Sequence, residues 1–204
     1  MTSNGAAKRL RKELQNLERS AAAAIIVSAK RNNKANEENA NSSSLSPSEP
    51  TNNPHHSLDD DVYLRPSSSS SILQWTALIR GPPDTPYENG IFRLMIRCGT
   101  DYPLAPPSIA FETKIFHPNV HFRTGDVCLD ILKKEWSPAW GLQAACRAVV
   151  ALLGDPDADS PLNCDAGNMI RGGDMLAYYT TAKMYTEENA RDAVWPTSMS
   201  PICA

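Results

Sequence analysis

The stretch Leu73-Gln74-Trp75-Thr76-Ala77-Leu78-Ile79, stopped by Gly81-Pro82-Pro83, sets the fold class. A short run of large apolar side chains between turn signals reads as a strand, and two more such runs follow it. In residues 90–98, Phe92, Leu94, Ile96 and Cys98 alternate with Arg93, Met95 and Arg97, the period of a strand with one buried face. Residues 108–111 form the third run, after Pro103, Pro106 and Pro107. Connections this short join antiparallel neighbours, so the pattern predicts a meander.

Helices flank these strands, which makes the class α+β. Residues 142–153 place Leu142, Cys146, Val149 and Leu153 on one helical face, and Gly154-Asp155-Pro156 closes the run. A last helix is expected over 175–193, with Asp174 able to cap it. Near the start, residues 6–29 carry the stripe Leu10, Leu14, Leu17, Ala21 and Ile25, which would dock a helix on the core, while Lys8, Arg9, Arg11 and Lys12 crowd its first turns. Residues 31–57 are rich in Asn, Ser, Pro and Glu with almost no large apolar side chain, so they read as a disordered insertion. The Ser run 67–71 reads as a surface turn, with globular sequence beginning at Ile72. This gives a domain over 6–193, interrupted by 31–57 and followed by a tail over 194–204.

The chain has 204 residues, 41% hydrophobic, with a formal charge of -3, which suits one domain of about 150 residues plus extras. The near-neutral balance gives no reason to expect nucleic acid. With no apolar run of about 18 residues, a membrane role would need a partner rather than direct insertion. Five cysteines, an odd number with no Cys-x-x-Cys pair, and a start without an apolar signal stretch lead us to expect a reducing, cytoplasmic compartment.

The chemistry concentrates in His117-Pro118-Asn119, then Cys128-Leu129-Asp130-Ile131-Leu132, then Trp136-Ser137-Pro138. A thiol near an amide donor suits acyl chemistry on sulfur, so a thioester is the first expectation. If residues 127–132 are extended, Val127, Leu129 and Ile131 point inward, and Cys128 shares the other side with Asp130 and Leu132. Alternation thus sets Cys128 apart from Cys98 and Cys146, which fall on apolar faces; Cys164 reads as a loop residue and Cys203 lies in the tail. Asp126 and Asp130 surround Cys128 with charge that does not favour the thiolate. Asn119 can aim its amide at a developing oxyanion or satisfy loop backbone groups, and both readings stand. His117 is either a general base or, being followed by Pro118, part of a structural turn.

Taken together, Pro86-Tyr87-x-x-Gly90, Asp101-Tyr102-Pro103-Leu104-Ala105-Pro106-Pro107, His117-Pro118-Asn119, the Cys128 segment and Trp136-Ser137-Pro138 resemble the ubiquitin-conjugating enzymes. The later run Asp165-x-Gly167-Asn168-x-x-Arg171-x-Gly173-Asp174-Met175-x-Ala177-Tyr178 is similar to the peroxisomal, peroxin-4 type branch. The resemblance implies the ubiquitin-conjugating fold: an amino-terminal helix, a four-stranded antiparallel sheet, a central helix and carboxy-terminal helices. It also implies that Cys128 takes ubiquitin as a thioester from an activating enzyme and passes it to a substrate, with no cofactor or metal of its own.

Residue by residue, the resemblance makes Asn119 the oxyanion donor and places His117 in the structural turn, with Asp130 beside the nucleophile. Ser160 falls where many members carry an Asp that helps a lysine attack, so lysine activation should be weaker and a cysteine acceptor relatively favoured. Leu104, Pro138 and Ala139 match loops that contact RING-type ubiquitin ligases. Lys8, Arg9, Arg11 and Lys12 match the docking face for the activating enzyme, against the alternatives of a nuclear-import patch or a solvated helix face. The loop from Asn119 to Cys128 is one residue longer than in many members. The peroxisomal branch further implies a membrane-anchored peroxin-22 type tether and the cycling peroxisomal import receptor as substrate, monoubiquitinated on cysteine or lysine. Three rivals are an enzyme of another ubiquitin pathway, a non-catalytic scaffold of the same fold, and a zinc site using His117, His121 and Cys128. A cysteine protease lacks its usual surrounding signature.

Overall fold

The computed structural model describes residues 3–39, 61–128 and 136–196, with side chains for 5–23, 61–128 and 136–196. Four strands, β1 (Val62–Ser68), β2 (Ser71–Arg80), β3 (Ile91–Arg97) and β4 (Ser108–Phe111), form one antiparallel sheet in the order β1-β2-β3-β4. Helix α1 (Ser3–Asn39) precedes the sheet, and α2 (Leu142–Gly154), α3 (Cys164–Arg171) and α4 (Met175–Asn189) follow it. The predicted meander and central helix are therefore present.

Register explains the core. Trp75, Ala77 and Ile79 of β2 pair with Ile96, Leu94 and Phe92 of β3, and all six side chains are fully buried on one face. Leu142, Ala145, Cys146 and Val149 of α2 complete that core, with Ala6 and Leu10 of α1. Each such large side chain contributes roughly 1.5–3 kcal/mol by leaving water. The Trp75 indole keeps its polar edge satisfied by donating to the Ile72 carbonyl at 2.7 Å. Cys98 and Cys146 lie in this core, and burial pushes both thiols up to about 12, with the Glu13 charge adding to the shift at Cys98.

Four sequence expectations need correction. Globular structure begins before Ile72: β1 buries Val62 and Leu64, and the Ser run forms the end of one hairpin strand, the turn at 69–70 and the start of the next. Pro66 obscured this strand, yet β1 is the sheet edge, where proline is tolerated. Cys164 opens α3 instead of lying in a loop, because Asn163 caps that helix by accepting from the Ala166 N–H. The last helix ends at Asn189, short of 193. The α1 backbone continues to Asn39, into the insertion expected over 31–57, since a helix needs only local hydrogen bonds and Lys34, Ala35, Glu37 and Glu38 supply adequate propensity. Residues 40–57 and Cys203 lie outside the described residues.

Two contacts settle the carboxy-terminal elements. Asp174 accepts from the Ala177 N–H at 3.0 Å, the expected cap of α4. Beyond α4, the Arg80 guanidinium lies over the Trp195 ring at 4.4 Å, so the start of the 194–204 tail rests on the sheet.

Candidate active site

His117, Pro118 and Asn119 are all buried, and their turn organises everything near Cys128. Asn119 Nδ2 donates to the Asp157 carbonyl at 2.6 Å, and Asn119 Oδ1 accepts from the Asp157 N–H at 2.9 Å. The Pro118 carbonyl accepts from the N–H groups of Leu162 and Asn163 at 2.8 and 3.0 Å. The turn thus holds loop 155–163 at two places, with Ser160 exposed between them. Of the two roles open to Asn119, satisfying loop backbone is the one its amide occupies.

His117 is fully buried, and its two nitrogens have fixed tasks. Nδ1 accepts from the Asn119 N–H at 3.0 Å, and Nε2 lies 3.0 Å from the Leu152 carbonyl, which requires the Nε2–H tautomer. Burial lowers its pKa to about 4, with the Leu152 bond opposing the shift. Both lone-pair and proton positions are taken, so the ring is unavailable as a base or a metal ligand. Nearby, the buried Tyr87 hydroxyl donates to the Phe116 carbonyl at 2.7 Å and meets the Tyr178 hydroxyl at 2.9 Å, tying α4 to the same turn. Burial raises the pKa of Tyr87 first, with Tyr178 adding to it.

The Cys128 N–H donates to the Asn119 carbonyl at 3.0 Å, and Val120 bridges Val127 beside it. The segment between folds as a tight turn in which Gly125 has φ +74 and a Cβ there would stand 2.0 Å from the Phe111 carbonyl, so only glycine fits. His121 caps this turn by accepting from the Thr124 N–H at 3.1 Å, and Thr124 donates to Asp126. The turn leaves Asn119 and Cys128 neighbours along the backbone. Val127 and Cys128 are both buried, Cys128 nearly as much as Cys98, and residues 129–132, over which the alternation is expected to continue, lie outside the described residues. Cys128 is only 8% exposed, less open than a polar strand face implies, because its backbone bond seats it against the 117–119 turn. Asp130 lies outside the described residues.

The remaining predicted residues separate into exposed and committed. Leu104 is 78% exposed, and Pro138 and Ala139 are exposed on a neighbouring loop, which Trp136 fixes to the Leu104 loop by donating to the Pro103 carbonyl at 2.8 Å. Lys8, Arg11 and Lys12 are exposed, but Arg9 is partly buried and pairs with Glu13 at 2.7 Å. Asp157 and Glu13 escaped the sequence reading, since partners 38 and 129 residues away leave no local pattern.

Comparison with known proteins agrees with this geometry. A family model described as ubiquitin-conjugating enzyme matches residues 47–186. The chain is 58% identical over 125 residues to the ubiquitin-conjugating enzyme E2 pex4 of Dictyostelium discoideum, covering 61% of this chain and 84% of that one. It is 58% identical over 117 residues to protein PEROXIN-4 of Arabidopsis thaliana, covering 57% and 74%. The crystal structure of the H. polymorpha ubiquitin conjugating enzyme Pex4p, in complex with the soluble domain of Pex22p, superposes with a TM-score of 0.61 at 37% identity, covering 65% of this chain and 85% of that one. With the four-stranded meander, its flanking helices and a match over well over half of the sequence, this chain belongs to the ubiquitin-conjugating enzyme family, transferases of ubiquitin.

Proposed function

We propose that Cys128 accepts ubiquitin as a thioester from the activating enzyme and passes it to a substrate. The observation that carries this reading is the 3.0 Å bond from the Cys128 N–H to the Asn119 carbonyl, which seats the Cys128 backbone beside the His117-Pro118-Asn119 turn. In charging, the Cys128 sulfur attacks the thioester carbonyl on the activating enzyme, a new C–S bond forms, and the activating enzyme's thiol leaves with the proton. Asn119 braces loop 155–163 in both transfers, and its second Nδ2–H is the donor left for an oxyanion. Leu104, Pro138 and Ala139 offer an exposed surface for a RING-type ligase, and Lys8, Arg11 and Lys12 offer one for the activating enzyme.

The pathway follows from the relatives. Similarity to two peroxin-4 proteins supports receptor monoubiquitination at the cytosolic face of peroxisomes, and the neighbour solved with Pex22p supports a peroxin-22 type tether. Among the described residues no helix is long and apolar enough to cross a membrane, which gives such a tether a purpose. The test is charging with activating enzyme, ATP and ubiquitin: a thiol-reducible adduct is expected, absent in Cys128→Ala, and an adduct that survives this substitution overturns the assignment. Retention by an immobilised peroxin-22 soluble domain tests the pathway separately; charging without retention favours an enzyme of another ubiquitin pathway.

A further inference from the structure

One carboxylate joins three separate parts of the fold. Glu13 Oε1 accepts from the Arg9 Nε and from the Tyr102 hydroxyl, each at 2.7 Å, and Oε2 accepts from the Leu142 N–H at 2.9 Å. Tyr102 immediately precedes Pro103 and Leu104, and Leu142 opens α2 directly after the loop carrying Pro138 and Ala139. Helix α2 has no side-chain cap of its own at Gly141, so Glu13, reaching from α1, supplies that cap from outside the helix. Gly141 leaves room for it: a Cβ there would lie 3.0 Å from Glu13 Oε2.

Arg9 extends the same connection. Its Nη2 donates to the Trp140 carbonyl at 2.9 Å and to the Ala139 carbonyl at 3.4 Å. The loops are also joined to each other, by Trp136 Nε1 on the Pro103 carbonyl and by the Tyr102 and Trp136 rings at 6.0 Å. Tyr102 stays protonated and able to donate, because burial and then the Glu13 carboxylate raise its pKa. Glu13 has a side-chain exposure of 13%, so these charge-assisted bonds are shielded from water.

We propose that Glu13 is a positioning residue for ligase-stimulated ubiquitin transfer, holding the Leu104 loop and the Pro138-Ala139 loop in one fixed arrangement from its place on α1. The inference rests on those loops being the ligase surface. A ligase bridging both loops gains most when they are already mutually oriented, since ordering costs fall on binding. Glu13 does not touch the thiol, so its effect belongs to the stimulated reaction.

The experiment compares Cys128-ubiquitin discharge onto free cysteine with and without an isolated RING domain that stimulates the wild-type protein. Glu13→Gln places an amide N–H against a donor, and it should lower the ratio of stimulated to unassisted discharge about tenfold, the scale of one lost charge-assisted hydrogen bond. A merely structural defect slows both reactions and leaves the ratio unchanged, which would overturn the proposal. Tyr102→Phe removes a single donor and should lower the ratio severalfold, so it carries the test even if Glu13→Gln folds poorly; an unaltered ratio there also counts against it. Leu104→Ala separates the two levels of argument. If it lowers the ratio and the Glu13 and Tyr102 variants do not, the positioning role is wrong; if it has no effect, the ligase surface is wrong and the inference falls with it.

Discussion

Acid should destabilise this protein through His117 in a way that can be isolated. The folded ring titrates at about 4 because it is buried and neutral, donating to Leu152 and accepting from Asn119, whereas an unfolded histidine titrates near 6.5. As pH falls through 6.5 the unfolded chain binds the proton first, so stability is complete above that value and declines toward 4. At about pH 5 the loss from this one group is about 2 kcal/mol, rising to about 3 kcal/mol below pH 4, a large share of a typical folding free energy. The control is His117→Gln, whose amide can still donate toward Leu152 but carries no titrating ring; leaving the Asn119 N–H without its acceptor should cost it about 1–3 kcal/mol at neutral pH. Urea unfolding of both proteins at about pH 7.5 and about pH 5 gives four stabilities, and carboxylate titrations cancel in the double difference. The wild type should lose about 2 kcal/mol more than the variant. Equal losses would mean that His117 does not fold as a buried neutral ring, and the structural role assigned to it would be wrong.

Two further substitutions probe loop 155–163. Asn119→Ala removes both bonds to Asp157 and should cost about 2–3 kcal/mol in stability, read by thermal or urea unfolding, with slower discharge of ubiquitin; a variant as stable as wild type would show that the loop is held from elsewhere. Ser160→Asp should speed discharge onto free lysine several-fold, roughly the 1 kcal/mol of a close charge pair in water, with little gain for free cysteine. Because Asp157 and the Leu162–Asn163 pair pin the backbone around Ser160, the substitution tests charge rather than loop position, and equal acceleration of both acceptors would remove the argument.

Fold and site were legible in the sequence to different depths. Strands β2 and β3 were readable because Trp75, Ala77 and Ile79 and then Phe92, Leu94 and Ile96 hold strict alternation between clear turn residues. β1 carries the same alternation for only two buried residues, Val62 and Leu64, before Pro66 and the serines take over. α3 is eight residues long with glycine and asparagine inside it, below the length at which periodicity distinguishes a helix, although its Asn163 cap was a usable signal. The polar continuation of α1 was misread because composition reports on burial and not on local hydrogen bonding.

The site divides along another line. Cys128, Asn119 and His117 announce themselves within twelve residues, but what each does depends on partners that the chain brings from far away. Pro118 hinted that His117 was structural, and only Leu152, 35 residues on, turns the hint into a tautomer and a lowered pKa. The bracing role of Asn119 became visible only with Asp157, 38 residues on, which takes one amide N–H and the amide oxygen. Glu13 was invisible for the same reason: in sequence it is one charge on a basic helix, and its meaning lies in Tyr102 and Leu142, 89 and 129 residues away. Local pattern therefore identifies the reacting atom, while the groups that hold its surroundings in place are specified by the fold. A search for residues that tune transfer, and hence the choice between lysine and cysteine acceptors, should begin with these long-range polar contacts rather than with the neighbours of Cys128.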